Sequence, residues 1–375
     1  MNNMIRRILH ILGWIFFGLV LYVVLHRIAQ DAQHLQRKQL LAQNKTGEGL
    51  LRRLYRMRGK QATDTIEERV RFTARVSSDS SERIERRAIV VRRPHARAVI
   101  LICHGFMCTK DDVRFLRGIL FNDYTTVSFD FRAHGESIAG QLCTFGHAEK
   151  EDVIGAVEYI RSQTDLKGLP IIVYGFSMGA VASIAAQAMR SDLFDAAIWD
   201  CPFDSTDNVI SRMVSQLKIN IAGFEFALPG RSLLQKYAYN PYVQDILKRT
   251  LKTVAAIDSA SINTCMMPFD TVAEAKRVSI PALFIVCKND TKAPVEAVIS
   301  VYRAVKGYKQ LWITNGRYHF DSFFYNPEKY AYVVGRFIEK AIDHKLVNDH
   351  KKRIIIDEPI VLQLQEQYLR AAEGY

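Results

Sequence analysis

The segment Pro170–Gly179, PIIVYGFSMG, decides the fold of this chain. It begins as an apolar run typical of a buried β-strand, and small residues typical of a helix follow from Ala180 onward. Between them, Ser177 stands in the pattern G-x-S-x-G. A serine on a sharp strand-to-helix turn points its hydroxyl outward, and the next amide faces the position where an oxyanion would form. The flanking glycines let strand and helix approach closely, so the segment predicts a nucleophilic Ser177.

Strands and helices alternate on both sides of this segment. Continuous apolar or β-rich runs predict central strands covered on both faces, at residues 98–103, 125–130, 171–174, 196–199, 281–287 and 310–313. Two alternating runs predict half-buried edge strands at residues 69–76 and 87–91. Helical patterns lie at residues 113–120, 151–161, 180–189, 295–305 and 330–342. This alternation predicts right-handed crossovers and a mostly parallel sheet.

One interval, residues 204–278, interrupts the alternation. It holds helical patterns at residues 210–217, 233–237 and 243–256, and it contains no run typical of a strand. An unstructured loop of about 75 residues is uncommon in a compact domain, so we expect a helical cap insertion. Because it follows the strand that ends at Trp199, we expect it above the carboxyl edge of the sheet.

The charge of the chain is concentrated in its N-terminal part. The chain has 375 residues, 49% of them hydrophobic, and a formal net charge of +12. Residues 1–93 hold 19 Lys and Arg against 8 Asp and Glu, whereas the rest holds 32 against 31. Residues 94–375 are nearly neutral, so we expect no nucleic-acid partner. A membrane surface is the better candidate partner for the basic N-terminal part.

Residues 8–25 run for 18 positions without a formal charge, close to the length that spans a bilayer. No small-x-small cleavage site follows, so we expect an N-terminal transmembrane helix within residues 1–30 rather than a signal peptide. Residues 31–64 then form a basic juxtamembrane linker, which either contacts anionic lipids or is a solvated stalk. Its positive charge predicts a single-pass membrane protein with the following domain in the cytoplasm.

The cysteines and histidines give no metal or cofactor signature. Six cysteines lack the close spacing of a redox motif or a zinc site, so we expect no cofactor and no metal. Cys103 and Cys287 lie in apolar strand-like runs, where a free thiol behaves as a small hydrophobe.

A serine hydroxyl needs a base to take its proton and a third group to orient that base. Asp290 and His319 each follow a predicted strand, and the carboxyl ends of parallel strands meet at one edge of a sheet. We therefore predict Ser177 as nucleophile, His319 as base and Asp290 as the orienting carboxylate.

Asp290 has an alternative interpretation, because aspartate is a favoured N-cap and a helical pattern begins near Pro294. In that case Asp200, at the end of another predicted strand, would be the orienting carboxylate. His104 and Asp130 are expected to fix loops by hydrogen bonds, and His134 is expected to be non-catalytic.

Across residues 65–343 the chain resembles the α/β-hydrolase superfamily, most closely its membrane-associated serine hydrolases of the serine aminopeptidase-like (S33-type) branch. The sequence HGFM at residues 104–107 matches that superfamily's H-G-x-x turn, which implies an oxyanion hole formed by the backbone amides of Phe106 and Met178. The sequence DFRAHGES at residues 130–137 matches the D-x-R-G-x-G-x-S loop, except at Ala133 and His134, so the exact shape of that loop is open.

The resemblance implies an α/β-hydrolase fold, with a mostly parallel central sheet flanked by helices. We expect a membrane-anchored serine hydrolase that cleaves lipid or acyl esters or thioesters through an acyl-enzyme. The alternatives are an aminopeptidase-like serine peptidase and a non-catalytic binding protein. The sequence predicts neither the oligomeric state nor a role for the C-terminal extension, residues 344–375.

The cap could roof an acyl-binding pocket, or its apolar side chains could only pack it against the sheet. The residues concerned are Phe224, Phe226, Leu228, Leu233, Leu234, Tyr237, Tyr239 and Tyr242.

Overall fold

The computed structural model describes residues 66–119, 123–137, 140–215, 218–221, 224–227, 231–244, 263–343 and 353–356. The strands are β1 (Ile66–Arg75), β2 (Arg83–Arg92), β3 (Val99–Cys103), β4 (Thr125–Phe129), β5 (Ile171–Phe176), β6 (Ala196–Asp200), β7 (Lys218–Ile221), β8 (Phe224–Ala227), β9 (Ala282–Cys287), β10 (Lys309–Thr314) and β11 (Arg353–Ile356).

Helices follow most of the central strands. They are α1 (Arg114–Ile119), α2 (Glu149–Ser162), α3 (Met178–Met189), α4 (Thr206–Ser215), α5 (Arg231–Lys236), α6 (Thr271–Ala275), α7 (Val295–Ala304), α8 (Ser322–Tyr325) and α9 (Pro327–Ile342).

Within the described residues, nine strands form the main sheet in the order β1-β2-β4-β3-β5-β6-β9-β10-β11. The pairs β1–β2 and β2–β4 are antiparallel, and every other neighbouring pair is parallel. This order confirms the predicted mostly parallel sheet. The two strands whose apolar and polar residues alternate, β1 and β2, lie at one edge of it. The carboxyl ends of β3, β5, β6, β9 and β10 lie at one edge of this sheet, which is the edge that carries the candidate site.

Both faces of the sheet are covered, which explains the continuous apolar runs of the central strands. In β3, Leu101 belongs to the apolar cluster that includes residues of α2, α3 and α7, whereas Ile100 and Ile102 belong to the cluster that includes residues of α1 and α9. Successive side chains of a strand point to opposite faces, so every residue of β3 is buried. The predicted helices correspond to α1, α2, α3, α7 and α9.

The interval 204–278 corrects one expectation, because it contains a strand pair. β7 and β8 pair antiparallel, with Lys218 opposite Ala227 and Ile221 opposite Phe224. Only Ala222 and Gly223 separate the two runs in sequence, which is the spacing of a tight hairpin. Each of the two strands has four residues, which is too few for an alternation of apolar and polar residues to be distinguished from the helical patterns around it. Most of the helix predicted at residues 243–256 lies outside the described residues.

The described residues divide into two compact units, one within residues 66–209 and 263–356 and the other within residues 210–244. The first unit contains the nine-stranded sheet, and the described part of the second contains the β7–β8 hairpin and α5. The predicted position of the cap above the carboxyl edge stays a prediction.

The sequence predicts an anchor and a linker at the N-terminus and an extension at the C-terminus. β11 falls within that extension and pairs in parallel with β10, as the last strand of the sheet. None of the described helices combines the length and the hydropathy needed to cross a bilayer. The predicted anchor and linker, residues 1–64, lie outside the described residues.

Candidate active site

Ser177 is the single residue between β5 and α3, and its backbone is strained. It has φ 51° and ψ −120°, outside the regions that side chains other than glycine prefer. Its amide donates to the carbonyl of Asp200 (2.9 Å), and its carbonyl accepts from the amide of Val181 (3.1 Å). Two backbone hydrogen bonds thus hold the serine in the conformation that the sequence pattern predicts.

The two glycines of the pattern are required for close approach of the backbone. A Cβ at Gly175 would lie 2.8 Å from the Cα of Ala180, and a Cβ at Gly179 would lie 2.1 Å from the carbonyl oxygen of Cys103. No side chain fits at either position without moving backbone atoms. The glycines therefore set how tightly α3 packs on β3 and β5.

Ser177, His319 and Asp290 form one hydrogen-bonded row. The Nε2 atom of His319 lies 2.9 Å from Oγ of Ser177, and its Nδ1 atom lies 2.7 Å from Oδ2 of Asp290. An ionised carboxylate only accepts, so Nδ1 carries a proton and Nε2 is left as an acceptor for the serine hydroxyl. The predicted proximity of these three residues is present in the structure.

Asp290 is not the N-cap of α7, which is Pro294, but its side chain holds the turn before that helix and also contacts His319. Its Oδ1 atom accepts from the amides of Lys292 and Ala293, each at 2.9 Å, in the turn before α7. Its Oδ2 atom faces His319. The carboxylate is buried, and both of its oxygens are engaged. The two amide donors fix the carboxyl group, which in turn fixes the imidazole.

The predicted oxyanion hole consists of the backbone amides of Phe106 and Met178. Met178 is the first residue of α3, where an amide has no carbonyl of a preceding helical turn to bond. Neither amide has a hydrogen-bond acceptor within the described ranges. The positive end of the α3 dipole also favours negative charge beside Ser177.

His104 holds the loop that carries Phe106. Its Nε2 atom accepts from the amide of Phe131 (3.1 Å), so Nδ1 bears the proton and donates to the carbonyl of Gly105 (2.8 Å). Burial lowers the pKa of His104 to about 3. The ring therefore stays neutral at physiological pH, and the structure gives it the loop-fixing contacts expected of it.

His134 makes a second contact to the same loop that the sequence alone did not suggest. Its Nε2 atom accepts from the amide of Met107 (3.2 Å), and its Nδ1 atom donates to the carbonyl of Arg132 (2.9 Å). The preceding residue, Ala133, has φ 61°, in the left-handed region that favours the glycine usual at this position. The loop adopts this conformation with alanine, and the only signal for it in the sequence was the departure from the motif.

Asp130 is structural, as expected. Its carboxylate accepts from the amide and the ammonium group of Lys110 (2.8 and 2.7 Å) and from the amide of Glu136 (3.0 Å). A Cβ at Gly135 would lie 2.4 Å from the carboxyl carbon of Asp130. The carboxylate therefore shapes the loop and has no contact with Ser177.

Asp200, the alternative carboxylate, has a different partner. Its Oδ2 atom accepts from the hydroxyl of Tyr330 at 2.7 Å, whereas His319 is hydrogen-bonded to Asp290. Burial raises the pKa of Asp200 to about 7, against the opposing effect of the Tyr330 hydrogen bond. The geometry thus selects Asp290 as the carboxylate that orients the imidazole.

Cys201, Asp290 and His319 offer one sulfur, one oxygen and one nitrogen within 4.8 Å of one another. Zinc takes such donors. In this structure, however, the hydrogen bond between Asp290 and His319 already engages two of the three. The expectation of no metal stays a prediction.

Aromatic side chains flank the row. The rings of Phe176 and Phe320 stack at 4.0 Å, and those of Phe106 and Phe145 lie 4.7 Å apart. Phe176 directly precedes Ser177, Phe320 directly follows His319, and Phe106 lies in the loop that His104 holds. Tyr237 and Tyr242, two of the predicted roof residues, are exposed, and their role above the site stays a prediction.

A model of the family described as serine aminopeptidase, S33, matches residues 94–320, more than half of the chain. The uncharacterized protein YqkD of Bacillus subtilis is 29% identical over 253 residues, which are 65% of this chain and 72% of that protein.

Solved structures share the fold. An esterase of Pyrococcus furiosus has a TM-score of 0.55 at 20% identity, covering 74% of this chain and 93% of its own. A peroxisomal alpha-beta-hydrolase of Saccharomyces cerevisiae has a TM-score of 0.51 at 14% identity, covering 84% and 98%. The chain thus belongs to the serine aminopeptidase S33 family of the α/β-hydrolase superfamily.

Proposed function

We propose that this protein is a serine hydrolase that cleaves carboxylic esters or thioesters of lipid or acyl type through an acyl-enzyme. The observation that carries the proposal is the row from Asp290 through His319 to Ser177, with distances of 2.7 and 2.9 Å. A hydroxyl, an imidazole and a carboxylate in this order are the parts of an activated serine nucleophile.

In the proposed reaction, Nε2 of His319 takes the proton of the Ser177 hydroxyl while Oγ attacks the carbonyl carbon of the substrate. The oxyanion accepts hydrogen bonds from the amides of Phe106 and Met178. His319 then donates its proton to the leaving alcohol or thiol, and the acyl group stays on Ser177. Water, deprotonated by His319, attacks the acyl-enzyme, and His319 returns the proton to Oγ of Ser177 as the bond to the acyl group breaks and the acid leaves.

The ester interpretation is supported by the esterase of Pyrococcus furiosus among the structural relatives, and by the aromatic side chains next to the row. A serine peptidase is the second candidate, which the description of the matching family favours. A non-catalytic binding protein is the third.

Labelling with a fluorophosphonate probe tests the nucleophile. We expect the wild type to be labelled, Ser177→Ala to lose labelling while staying folded, and Ser191→Ala, at an exposed turn, to label as the wild type does. Asp290→Asn should slow labelling by roughly 10⁴-fold, because the imidazole adopts the wrong tautomer. Persistent labelling of Ser177→Ala would refute the assignment.

Hydrolysis of p-nitrophenyl esters of short and long chain, compared with aminoacyl amides, separates the first two candidates. We expect the esters to be cleaved faster at equal concentration. Faster cleavage of the amides would favour the peptidase, and no turnover of any substrate would favour the binding protein.

We further propose that residues 1–30 anchor the protein in a membrane, with the hydrolase domain in the cytoplasm. The support is the 18-residue uncharged run and the basic linker after it. The hydrolase domain should resist protease added to intact cells and become sensitive after permeabilisation. Cleavage in intact cells would indicate the opposite orientation.

A further inference from the structure

Phe320, the residue after His319, holds a backbone conformation that a phenylalanine rarely adopts. Its φ is 62°, in the left-handed region. The amide of Asp321 donates to the carbonyl of Tyr318 (3.2 Å), so Phe320 is the third residue of a tight turn, where a positive φ favours glycine or asparagine. A bulky side chain persists in such a conformation only where its surroundings hold it there, so the contacts of this ring require an explanation.

The Phe320 ring stacks on the ring of Phe176, the residue before the nucleophile. The two ring centroids lie 4.0 Å apart, and the ring planes are inclined by 14°. Phe176 is buried and ends β5, whereas Phe320 lies in the loop after β10. These two strands are not neighbours, because β6 and β9 lie between them in the sheet. The stack therefore joins the segment of Ser177 directly to the segment of His319.

The Phe176 ring also packs against the loop that is expected to bind the oxyanion. A Cβ at Gly105 would lie 2.6 Å from Cε2 and 3.0 Å from Cδ2 of this ring, so the ring fills the space beside Gly105. The carbonyl of Gly105 accepts from the amide of Cys108 (3.2 Å) and from Nδ1 of His104 (2.8 Å). Gly105 directly precedes Phe106, one of the two expected oxyanion donors. The same stack thus contacts a third segment of the site.

Other contacts of the His319 loop lead back to the strands that carry it. The hydroxyl of Ser322 lies 2.9 Å from that of Thr314, which ends β10, and Nδ1 of His319 lies 2.7 Å from the carboxylate of Asp290, which follows β9. Toward β5, Nε2 of His319 meets Oγ of Ser177. That hydrogen bond is lost in each turnover when Oγ becomes acylated, whereas the ring stack needs no proton and can stay.

We propose that Phe320 and Phe176 are positioning residues: their stacked rings hold the imidazole of His319 in register with Ser177 and with the oxyanion loop. The inference rests on the proposed function, because acyl transfer is the reaction that needs this register. Each ring acts through the residue next to it in sequence. The expected effect is large, since a displacement of about 1 Å at a reacting group costs on the order of 10²-fold in rate.

The test is the kcat and KM of the full chain on the p-nitrophenyl ester that the wild type cleaves fastest. Phe320→Leu keeps an apolar side chain but removes the ring that stacks. We expect its kcat to fall by roughly 10- to 100-fold at nearly unchanged KM, because the loss lies in the geometry of the reacting groups rather than in substrate binding. An unchanged kcat, or a loss confined to KM, would overturn the proposal.

Two further substitutions at this position separate the ring from the backbone. Phe320→Tyr keeps a ring that can stack, so we expect its kcat to stay close to that of the wild type. Phe320→Gly suits the positive φ of the turn but has no ring, so its kcat should fall at least as far as that of Phe320→Leu. If the residue served the turn alone, Phe320→Gly would keep the wild-type kcat, and the positioning role would be excluded.

Phe323→Leu is the matched control for a loosened core. Phe323 lies in α8, is 1% exposed, and packs against the rings of Phe115 and Tyr330, at centroid distances of 4.8 and 5.6 Å. We expect this substitution to lower Tm by at least as much as Phe320→Leu does while leaving kcat unchanged. An equal loss of kcat in the two variants would assign the effect to general loosening and would contradict the proposal.

The double variant Phe176→Leu/Phe320→Leu tests whether the two rings act as a pair. If they act through their mutual contact, the first substitution already abolishes it, so the double variant should be no slower than the slower single variant. Independent effects would multiply instead, and that result would count against a shared stack.

A readout without turnover separates this inference from the proposed function. The ¹⁵N shifts of the neutral His319 imidazole report which nitrogen carries the proton, and its resonances are identified by their loss in His319→Gln. The wild-type row requires the Nδ1–H form, and we expect Phe320→Leu to populate the Nε2–H form as well. If the wild type cleaves no substrate and reacts with no probe, the proposed function fails. The tautomer still decides the role of the stack, which is refuted if Phe320→Leu leaves it unchanged.

Discussion

A single methyl group at Gly179 should force the nucleophile turn away from the neighbouring strand. An ideal Cβ there would lie 2.1 Å from the carbonyl oxygen of Cys103 and 2.5 Å from that of His104. Real Cβ atoms essentially never approach other atoms within 3.0 Å, and both oxygens belong to backbone rather than to a flexible side chain. In Gly179→Ala, α3 and the end of β3 must therefore separate by about 1 Å.

Overpacking of this kind costs about 3 kcal/mol, while alanine in a helix contributes about 1 kcal/mol relative to glycine. We expect a net destabilisation of about 2 kcal/mol, which corresponds to a decrease in Tm of roughly 4–8 °C. The amide of Met178 and the hydroxyl of Ser177 move with α3. A displacement of about 1 Å at a reacting group costs on the order of 10²-fold in rate.

Thermal unfolding and the rate of fluorophosphonate labelling measure the two effects. Gly335→Ala is the matched control, because Gly335 is also helical, in α9, but apart from its chain neighbours and the adjacent turns of its own helix no atom of the described residues lies within 4 Å of the position that its Cβ would occupy. We expect Gly335→Ala to stabilise by about 0.5–1 kcal/mol and to label normally. The reasoning is refuted if Gly179→Ala melts and labels as the wild type does.

Three further predictions concern the surroundings of the site. His134→Phe removes the acceptor for the Met107 amide, so labelling of Ser177 should slow by at least about 10-fold; an unchanged rate would mean that the loop needs no such support. Arg86→Met leaves the buried Asp152 without one of its cationic partners, and urea unfolding should report a loss of about 3 kcal/mol; a loss below about 1 kcal/mol would contradict this. The folded-state pKa of His104, about 3, lies below its ordinary value of 6.5, so its contribution to stability is fully present above pH 6.5 and is lost as the pH falls toward 3. The free energy of unfolding should decrease by up to about 1.4 kcal/mol per pH unit in that range, and His104→Gln should flatten this dependence; an equal slope in both proteins would exclude His104 as its source.

The candidate site was predictable because its residues follow strand ends. Asp290 and His319 come after runs whose buried, uninterrupted hydrophobicity is typical of central parallel strands, and such strands align their carboxyl ends. The turn at Ser177 was predictable for a related reason. Glycines on both sides of a serine indicate a strained turn when a strand directly precedes them and a helix directly follows. The predicted geometry of these three residues agrees with the structure, and their catalytic roles stay a prediction.

Other features depend on contacts that sequence order does not reveal. The β7–β8 hairpin is too short to produce a clear period, and β11 forms a strand only because β10 offers it an unpaired edge. The contact of His134 with the Met107 amide joins two loops that are 27 positions apart. Tyr330 and Asp200 are 130 positions apart, and neither belongs to a motif that would suggest the other.

By itself, the sequence determined the order of the central strands and helices, the mostly parallel sheet and the three side chains that follow its strand ends. Those properties follow from the local period of the hydrophobic residues and from the residue types that a strained turn requires. Both can be read from consecutive residues. The tertiary structure decided which carboxylate faces His319 and which acid remains buried behind the serine. The first depends on the 2.7 Å hydrogen bond between Asp290 and His319, and the second on the exclusion of water from Asp200. Both arise only when distant strands pack against one another.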